Sequence, residues 1–90
     1  MKYVWDEGKR VANLAKHGVD FIEAQEFDWE YAFVIPDTRR PYGEPRFRAQ
    51  GPIRGRLHEL VFTPRNDAVR IISLRKANSR EVHEYEKTQT

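Results

Sequence analysis

The chain has 90 residues, of which 39% are hydrophobic and 33% are charged, with a formal net charge of +2 and no cysteine. This composition holds enough apolar residues for a core, which excludes a disordered chain, and the length predicts a single domain over residues 1–90. The lack of cysteine excludes disulfides and thiolate nucleophiles, and no apolar run approaches the roughly 20 residues that cross a membrane.

The N-terminal segment predicts a short strand or extended lead-in at residues 3–5, followed by a helix. Asp6 is a suitable N-cap for this helix, and Gly18 is a suitable residue to end it. Apolar residues at helical spacing predict its buried stripe, which consists of Val11, Leu14 and Ala15. No signal peptide is recognisable at the start of the chain, so we expect a cytoplasmic protein.

A second helix is predicted directly after the first. Asp20 is its N-cap, and Glu23 three residues later completes the pattern of a capping box. Its buried stripe is formed by three apolar residues at helical spacing, namely Phe21, Ala24 and Phe27.

From residue 31 onwards the hydrophobic pattern is that of strands. A short strand at 32–35 ends at Pro36, and the proline and glycine residues of 36–45 predict a long exposed loop. Three further strands are predicted at 46–50, 57–63 and 68–75, with turns at 51–55 and 64–67. A last helix begins at Asn78 or Ser79.

These elements predict an α+β fold with two N-terminal helices, an antiparallel sheet of about four strands and a C-terminal helix. Consecutive strands joined by short turns form an antiparallel meander. Because such a sheet needs cover on one face, we expect the helices to gather on that face.

Basic residues are concentrated in the middle of the chain. Residues 36–80 hold eleven basic and four acidic residues, whereas residues 1–35 hold four basic and seven acidic ones. An acidic front and a basic middle indicate two surfaces with different partners, and the basic surface attracts phosphate-rich ligands. The alternative is a protein whose surface charge is merely spread unevenly.

Several arginines are predicted to line one groove. Arg75 has the same strand parity as Ile71 and Ser73, so the three side chains are expected on one face. Arg46 and Arg48 alternate with Phe47 and point away from it, and Arg65 lies at the turn before the last strand. Arginine binds phosphate oxygens in a bidentate manner and stays charged. The alternative is that each of these arginines only solvates the surface.

Histidine and the residues of the last helix give further candidates. His17 ends the first helix, where the helix dipole favours the charged imidazole, and Asn13 lies on the same helical face. A charged His17 is a candidate general acid or phosphate contact, with a structural role at the helix end as the alternative. Glu84 pairs with an arginine four residues earlier or supports catalysis, and Tyr85 is a core or supporting residue. His58 and His83 have no ligand-spaced partner, so no metal site is predicted.

Several blocks of sequence match a known pattern in this order: Trp5-Asp6-Glu7-Gly8-Lys9, Asn13-Leu14-Ala15-Lys16-His17-Gly18-Val19-Asp20-Phe21, Glu23-Ala24, Gly43-Glu44-Pro45-Arg46-Phe47, Val61-Phe62-Thr63-Pro64-Arg65 and Arg70-Ile71-Ile72-Ser73-Leu74-Arg75-Lys76-Ala77, with Glu81 and Tyr85. With these blocks the chain resembles the BrnT family, the toxins of type II toxin–antitoxin pairs. The resemblance covers nearly the whole chain. It departs where His58 and Glu59 interrupt a strand that is usually apolar, and in the variable loop at 39–42.

The resemblance implies a RelE-like fold and a ribonuclease toxin that inhibits translation without a cofactor. It also implies a cognate BrnA-type antitoxin that carries a DNA-binding domain, so that operator DNA is reached only through the antitoxin. The residues that match the motifs are the candidate site residues Lys9, His17, Arg46, Arg65, Arg75, Lys76 and Arg80.

Two functions are compatible with these residues. The first is a metal-independent endoribonuclease, in which the RNA 2′-hydroxyl attacks the adjacent phosphate. Its candidate catalytic residues are His17, Arg65, Arg75 and Arg80, its RNA-binding residues are Lys9, Arg46, Arg48 and Lys76, and its supporting residues are Asn13, Glu84 and Tyr85. The second is a non-catalytic nucleic-acid-binding or co-repressor module that acts only together with its partner.

Overall fold

The computed structural model describes residues 1–90 and has the predicted α+β class. The strands are β1 (Lys2–Val4), β2 (Phe33–Pro36), β3 (Phe47–Ile53), β4 (Arg56–Arg65) and β5 (Ala68–Lys76); the helices are α1 (Glu7–His17) and α2 (Ser79–Thr88), with 3₁₀ segments at Phe21–Glu26 and Trp29–Tyr31. None of the helices is long and apolar enough to cross a membrane.

The sheet has five strands in the order β1-β5-β4-β3-β2 and is mixed. The pairs from β2 to β5 are antiparallel, as predicted, but β1 pairs with β5 in parallel. The prediction of about four antiparallel strands was therefore wrong at this edge. A short strand or extended lead-in was predicted at residues 3–5, but its parallel pairing was not, because its pairing partner is more than sixty residues away.

Helix α1 begins and ends as predicted, but it buries a different face. The Asp6 carboxylate accepts the Lys9 N–H, and Gly18 adopts φ 72° and donates its N–H to the Leu14 carbonyl. The predicted apolar stripe points to solvent, with Val11 53% exposed, whereas Asn13 is the buried residue of the helix. The buried face of α1 was predicted incorrectly, because the helix packs against β5 through the polar residue Asn13.

The second predicted helix is a short 3₁₀ segment with the predicted cap. Asp20 accepts the Ile22 N–H, and Glu23 accepts the Asp20 N–H, which completes the capping box. The segment ends after six residues because Phe27 turns extended and forms an isolated β-bridge with Ile53. The three apolar residues of its predicted stripe are buried.

The two hairpin turns are shorter than predicted, because the strands continue through residues that usually break them. β3 passes through Gly51 to Ile53, and a Cβ at Gly51 would lie 2.7 Å from the Phe27 ring, so only glycine fits there. The turn consists of Arg54 and Gly55, both with positive φ, which is the preferred geometry for a two-residue hairpin. β4 likewise continues to Arg65 before a turn at 66–67.

The hydrophobic core lies between the 3₁₀ segments and one face of the sheet. It is formed by the buried residues Val19, Phe21, Ala24, Phe27, Ala49, Ile53, Leu60, Phe62, Ile71 and Leu74. Trp29 packs edge-to-face against Phe27 and Phe62 and donates its Nε1–H to the Tyr3 hydroxyl at 2.7 Å. The sheet face turned away from this core is called the outer face below.

A β-bulge in β5 decides which of its side chains reach the outer face. Val61 is opposite Ser73, but the next residue, Phe62, is opposite Ile71, so Ile72 is the extra residue. Ile71 therefore belongs to the core, while Ser73 and Arg75 belong to the outer face. The prediction that all three share a face was wrong, because strict alternation does not hold across a bulge.

Helix α2 is attached from the outer face, so the helices do not all gather on one side of the sheet as predicted. Its N-cap is Asn78, which forms a capping box with Glu81. The Glu81 carboxylate binds Arg75, whose side chain alternates with the core residue Leu74. Further along, the Tyr85 hydroxyl donates to the Tyr31 carbonyl.

Candidate functional site

The outer face carries an ion-pair cluster centred on Glu59. Glu59 is a mid-strand residue of β4 with its side chain only 3% exposed. Its two carboxylate oxygens accept hydrogen bonds from Arg48 at 3.3 Å and from Arg75 at 2.7 Å. Arg75 is also bound in a bidentate manner by Glu81, with both distances at 2.8 Å. We call Arg48, Glu59, Arg75 and Glu81 the ion-pair cluster.

Within this cluster, Arg75 has few donors left for another ligand. Its Nη1 donates to Glu81 and to the Lys76 carbonyl, and its Nη2 donates to Glu59 and Glu81. Only the Nε–H has no acceptor among these contacts. The interaction with Arg75 lowers the pKa of Glu81 to about 2, so the pair stays charged at neutral pH. Arg75 is thus a fixed positive charge rather than a mobile phosphate clamp.

A cleft next to this cluster separates α1 from the bulged part of β5. It has a volume of about 230 Å³, and its polar lining residues are Lys9, Asn13, Lys16, His17 and Ser73. Neither lysine takes part in a salt bridge. We call it the α1–β5 cleft.

The electrostatics of His17 differ from the prediction. Burial lowers the pKa of His17, and the positive charges of Lys16 and Arg75 lower it further. The predicted stabilisation of a charged imidazole by the helix end is therefore outweighed. The lowered pKa favours the neutral imidazole at pH 7, a form that can accept a proton, whereas the sequence indicated a charged imidazole.

Asn13 fixes the position of α1 against the sheet. Its amide nitrogen donates to the carbonyls of Val19 at 3.0 Å and Leu74 at 2.7 Å, and its Oδ1 accepts the Leu74 N–H at 3.2 Å. These bonds lie beyond Arg70, where the pairing of β1 with β5 ends. Asn13 thus satisfies backbone groups that a neighbouring strand would otherwise bind, and this contact places His17 beside β5.

A second group of predicted residues surrounds Glu44, in the loop between β2 and β3. Arg46 donates to Glu44 at 3.1 Å, and Arg65 approaches the other carboxylate oxygen at 3.5 Å. The hydrogen bond from Arg46 is the largest contribution that lowers the pKa of Glu44. Arg46 and Arg65 therefore share one carboxylate, whereas Arg48 and Arg75 share Glu59, so the four arginines predicted to line one groove are divided between two carboxylates.

The remaining predicted residues lie after β5. Lys76 and Arg80 are exposed and have no ion-pair partner, and Glu84 is exposed and does not pair with Arg80. Burial raises the pKa of Tyr85, whose hydroxyl is bound to the Tyr31 carbonyl. Tyr85 therefore anchors α2. It is not among the residues that line the α1–β5 cleft.

Four residues of these groups were missed by the sequence prediction: Lys16, Glu44, Glu59 and Glu81. Lys16 lies seven residues after Lys9, which places both on one helical face. Glu59 interrupts an apolar strand, and a carboxylate in such a position must have a cationic partner when buried. Both signals were present in the sequence.

No group of three or more His, Cys, Asp or Glu side chains is arranged to hold a metal ion.

The chain matches the model of one protein family over residues 5–81. The family is described as "Ribonuclease toxin, BrnT, of type II toxin-antitoxin system", and the matched segment extends from Trp5 to Glu81. No curated protein matches the chain. The matched segment contains both the α1–β5 cleft and the ion-pair cluster.

Proposed function

The chain belongs to the BrnT family of ribonuclease toxins of type II toxin–antitoxin systems, and we propose that it cleaves RNA without a metal ion, in the α1–β5 cleft. In this reaction the RNA 2′-hydroxyl attacks the adjacent phosphorus. A 2′-O–P bond forms, the P–O5′ bond breaks, and the products are a 2′,3′-cyclic phosphate and a free 5′-hydroxyl.

The observation that supports this proposal best is a partly buried histidine with a lowered pKa beside two lysines that form no ion pair. His17 has a pKa lowered by burial, so its imidazole accepts a proton at neutral pH. Lys9 and Lys16 line the same cleft, where their ammonium groups offset the charge that develops on the phosphorane oxygens. A 2′-hydroxyl supplies the nucleophile, so the enzyme needs only a base, an acid and positive charge.

The reaction needs one group that accepts a proton and another, on the opposite side of the phosphate, that donates a proton. His17 removes the proton of the 2′-hydroxyl, and the ammonium of Lys9 or Lys16 donates a proton to the departing 5′-oxygen. Arg75 acts as a positioning residue, because its bonds to Glu59 and Glu81 hold its charge close to His17. Arg65, Arg80 and Lys76 contact the RNA backbone, and Arg46 and Arg48 support its path along the outer face.

We further propose that a BrnA-type antitoxin with a DNA-binding domain neutralises the toxin in the cytoplasm by covering the α1–β5 cleft. Membership of the family implies an antitoxin partner. An acidic or wrapping segment would be attracted to the unpaired lysines and would exclude RNA from them. Cleavage by the free toxin would inhibit translation, and the assembly would bind operator DNA only through the antitoxin. A toxin–antitoxin complex that still cleaves at the full rate would contradict this mode of neutralisation.

The proposal is tested by incubating the purified protein with RNA in EDTA, with and without ribosomes. We expect products that end in a 2′,3′-cyclic phosphate, and we expect a single 2′-deoxy substitution at the cleaved position to stop cleavage there. Intact RNA at high protein concentration under both conditions would refute the activity. Binding of RNA without cleavage would support the alternative function, a non-catalytic nucleic-acid-binding module.

A further inference from the structure

The loop between β2 and β3 is a second concave surface, and Arg46 is the one residue of it to which the proposed function assigns a role. Residues 37–46 surround an open cavity of about 700 Å³, with Arg39, Arg40, Tyr42 and Arg46 among its lining residues. The loop has no regular secondary structure between the end of β2 at Pro36 and the start of β3 at Phe47. The contacts within this loop indicate order.

A buried carboxylate holds the loop in one conformation. The Asp37 side chain is fully buried and accepts two hydrogen bonds from the Arg39 guanidinium, both at 2.8 Å, one from the Arg39 backbone N–H at 3.3 Å, and one from the Tyr42 hydroxyl at 3.3 Å. The Asp37 N–H also donates to the Arg46 carbonyl at 2.8 Å, which closes the base of the loop. Because these contacts exist before any ligand binds, little conformational entropy remains to be lost on binding.

The centre of the loop is an aromatic ring covered on one side by a guanidinium group. The Cζ atom of Arg46 lies 4.0 Å from the centroid of the Tyr42 ring, and Glu44 holds the Arg46 side chain in place. Tyr42 is half-buried and still lines the cavity, so part of its ring remains accessible. Arg40 is exposed in the same cavity and has no ion-pair partner. A flat π surface next to an unpaired arginine has the chemistry that binds a nucleobase and its phosphate.

The ion-pair cluster links the loop to the α1–β5 cleft. Arg46 has the strand parity of Arg48, which belongs to the ion-pair cluster on the outer face. The negative charge of Glu59 acts on Arg39, and the positive charge of Arg75 acts on His17, so the cluster lies between the loop and the cleft. β3 and β5 are two strand spacings apart, roughly 10 Å, and the cleft lies further on, between β5 and α1. A single RNA strand of a few nucleotides is long enough to reach from one to the other.

We propose that loop 37–46 is a nucleobase subsite, in which one unpaired base of the RNA stacks on Tyr42 and its phosphate binds Arg40. The inference rests on the proposed RNA substrate and adds a contact remote from the cleaved bond. Such a contact makes binding depend on a base being present at one position relative to the cleavage site. It therefore contributes to the choice of site along a single strand.

The test measures binding and not cleavage, so it does not depend on the reaction. The probe is a fully 2′-O-methylated single strand of about eight nucleotides, a length within the usual range for such sites. The 2′-O-methyl groups remove the attacking hydroxyl, and fluorescence anisotropy in EDTA gives the Kd. A series of probes that each lack one base then locates any position at which the base contributes.

We expect Tyr42→Leu to weaken binding by roughly 5- to 150-fold, the loss that corresponds to one stacked base. Tyr42→Phe should retain most of the affinity, because the ring is kept. In the unsubstituted protein, one abasic position should weaken binding by a similar factor, and in Tyr42→Leu the same position should have little further effect. Tyr31→Leu is the matched control, since Tyr31 is an exposed tyrosine outside the loop.

Arg40→Ala provides a second variant that does not depend on the packing of Tyr42. Because Arg40 is exposed and unpaired, its removal should leave folding unchanged and reduce the salt dependence of binding by roughly the amount of one phosphate contact. Equal affinities of the unsubstituted protein and Tyr42→Leu, or equal losses at every abasic position, would overturn the subsite. A Tyr42→Leu variant with normal RNA affinity but weakened antitoxin binding would also overturn it, in favour of a protein contact.

The subsite and the proposed function fail in different ways. If the unsubstituted protein cleaves RNA and Tyr42→Leu cleaves the same sites equally well, the subsite is refuted and the ribonuclease stands. If the unsubstituted protein neither binds the probe nor cleaves RNA, the proposed function is refuted, and the subsite with it.

Discussion

The α1–β5 cleft and the ion-pair cluster are neighbours that both concentrate positive charge, yet they use it in opposite ways. In the cluster, the two arginines are bound by two carboxylates, one of them almost completely buried. In the cleft, the lysines have no ion pair and the pKa of the histidine is lowered. The cluster is therefore close to neutral overall and rigid, whereas the cleft retains net positive charge for a ligand.

This difference shows that a count of arginines overstates the charge available to phosphate. Seven arginines of this chain are in salt bridges, namely Arg10, Arg39, Arg46, Arg48, Arg54, Arg65 and Arg75. The unpaired lysines and arginines are Lys2, Lys9, Lys16, Arg40, Arg56, Arg70, Lys76, Arg80 and Lys87. Buried or bidentate pairs stabilise geometry, while unpaired cations act on ligands. Substitutions in the two regions should therefore affect different measurements.

The largest expected effect is on catalysis in the cleft. His17→Ala should lower the single-turnover rate of RNA cleavage by roughly 10²–10⁴-fold, because it removes the proposed general base. The free energy of unfolding should change little, since His17 makes no hydrogen bond to the fold. His83→Ala, an exposed histidine on α2, is the control. An unchanged cleavage rate in His17→Ala would show that the base lies elsewhere.

The cluster should respond in stability. Arg75→Ala leaves Glu59 and Glu81 without their shared partner, and we expect the free energy of unfolding to fall by about 2–4 kcal/mol, somewhat less than for a fully buried pair. Urea denaturation measures this change. Arg80→Ala, which removes an exposed arginine without an ion pair, should stay within about 0.5 kcal/mol. Equal stabilities of the two variants would mean that the cluster contributes nothing to the fold.

Acid should weaken the cluster in a defined pH range. Arg75 lowers the pKa of Glu81 from 4.5 to about 2 in the folded protein. The unfolded chain therefore binds the proton first, so this contribution is present above pH 4.5 and is lost as the pH falls towards 2. The variant Glu81→Gln should show a flatter decline of stability over this range. Asp37, whose pKa is also about 2, accounts for part of the decline that remains.

The smallest expected effect concerns a single lysine of the cleft. Lys16→Ala should leave the free energy of unfolding within about 0.5 kcal/mol of the original value. It should weaken binding of single-stranded RNA and reduce the slope of log K against log salt by roughly 0.7, the value for one phosphate contact. Lys87→Ala, an unpaired lysine outside the cleft, is the matched control. An unchanged slope in Lys16→Ala would remove Lys16 from the binding surface.

Local signals in the sequence were sufficient to predict much of the fold. The caps at Asp6 and Asp20 were predicted correctly, and Asn78 was one of two candidates for the third, because a capping residue is recognised by neighbours within four positions. The central strands were predicted as well, with ends displaced by a few residues. Gly51 was predicted to lie in a turn, but it lies within β3. Its lack of a side chain leaves room for the ring of Phe27, which is distant in the sequence.

The site was less accessible from sequence because its partners are distant along the chain. Nothing local indicates that Asn13 binds the backbone of Leu74, or that Arg75 is bound by Glu59. The family resemblance named Lys9 and His17 as candidate site residues, and both line the α1–β5 cleft. Whether an arginine of these strands forms an ion pair depends on the register of β4 against β5. That register is shifted by the bulge at Ile72.

The bulge at Ile72 makes this protein sensitive to the length of β5 in a way that substitution experiments would not detect. The extra residue separates the core-facing Ile71 from the outward-facing Ser73 and Arg75. Deleting Ile72 would restore strict alternation, so either Arg75 would point into the core or Ile71 would point to solvent. Exchanges of Ile72 for other apolar residues should be tolerated, whereas a one-residue deletion should prevent folding. Among natural variants, β5 should therefore differ in residue identity and not in residue number.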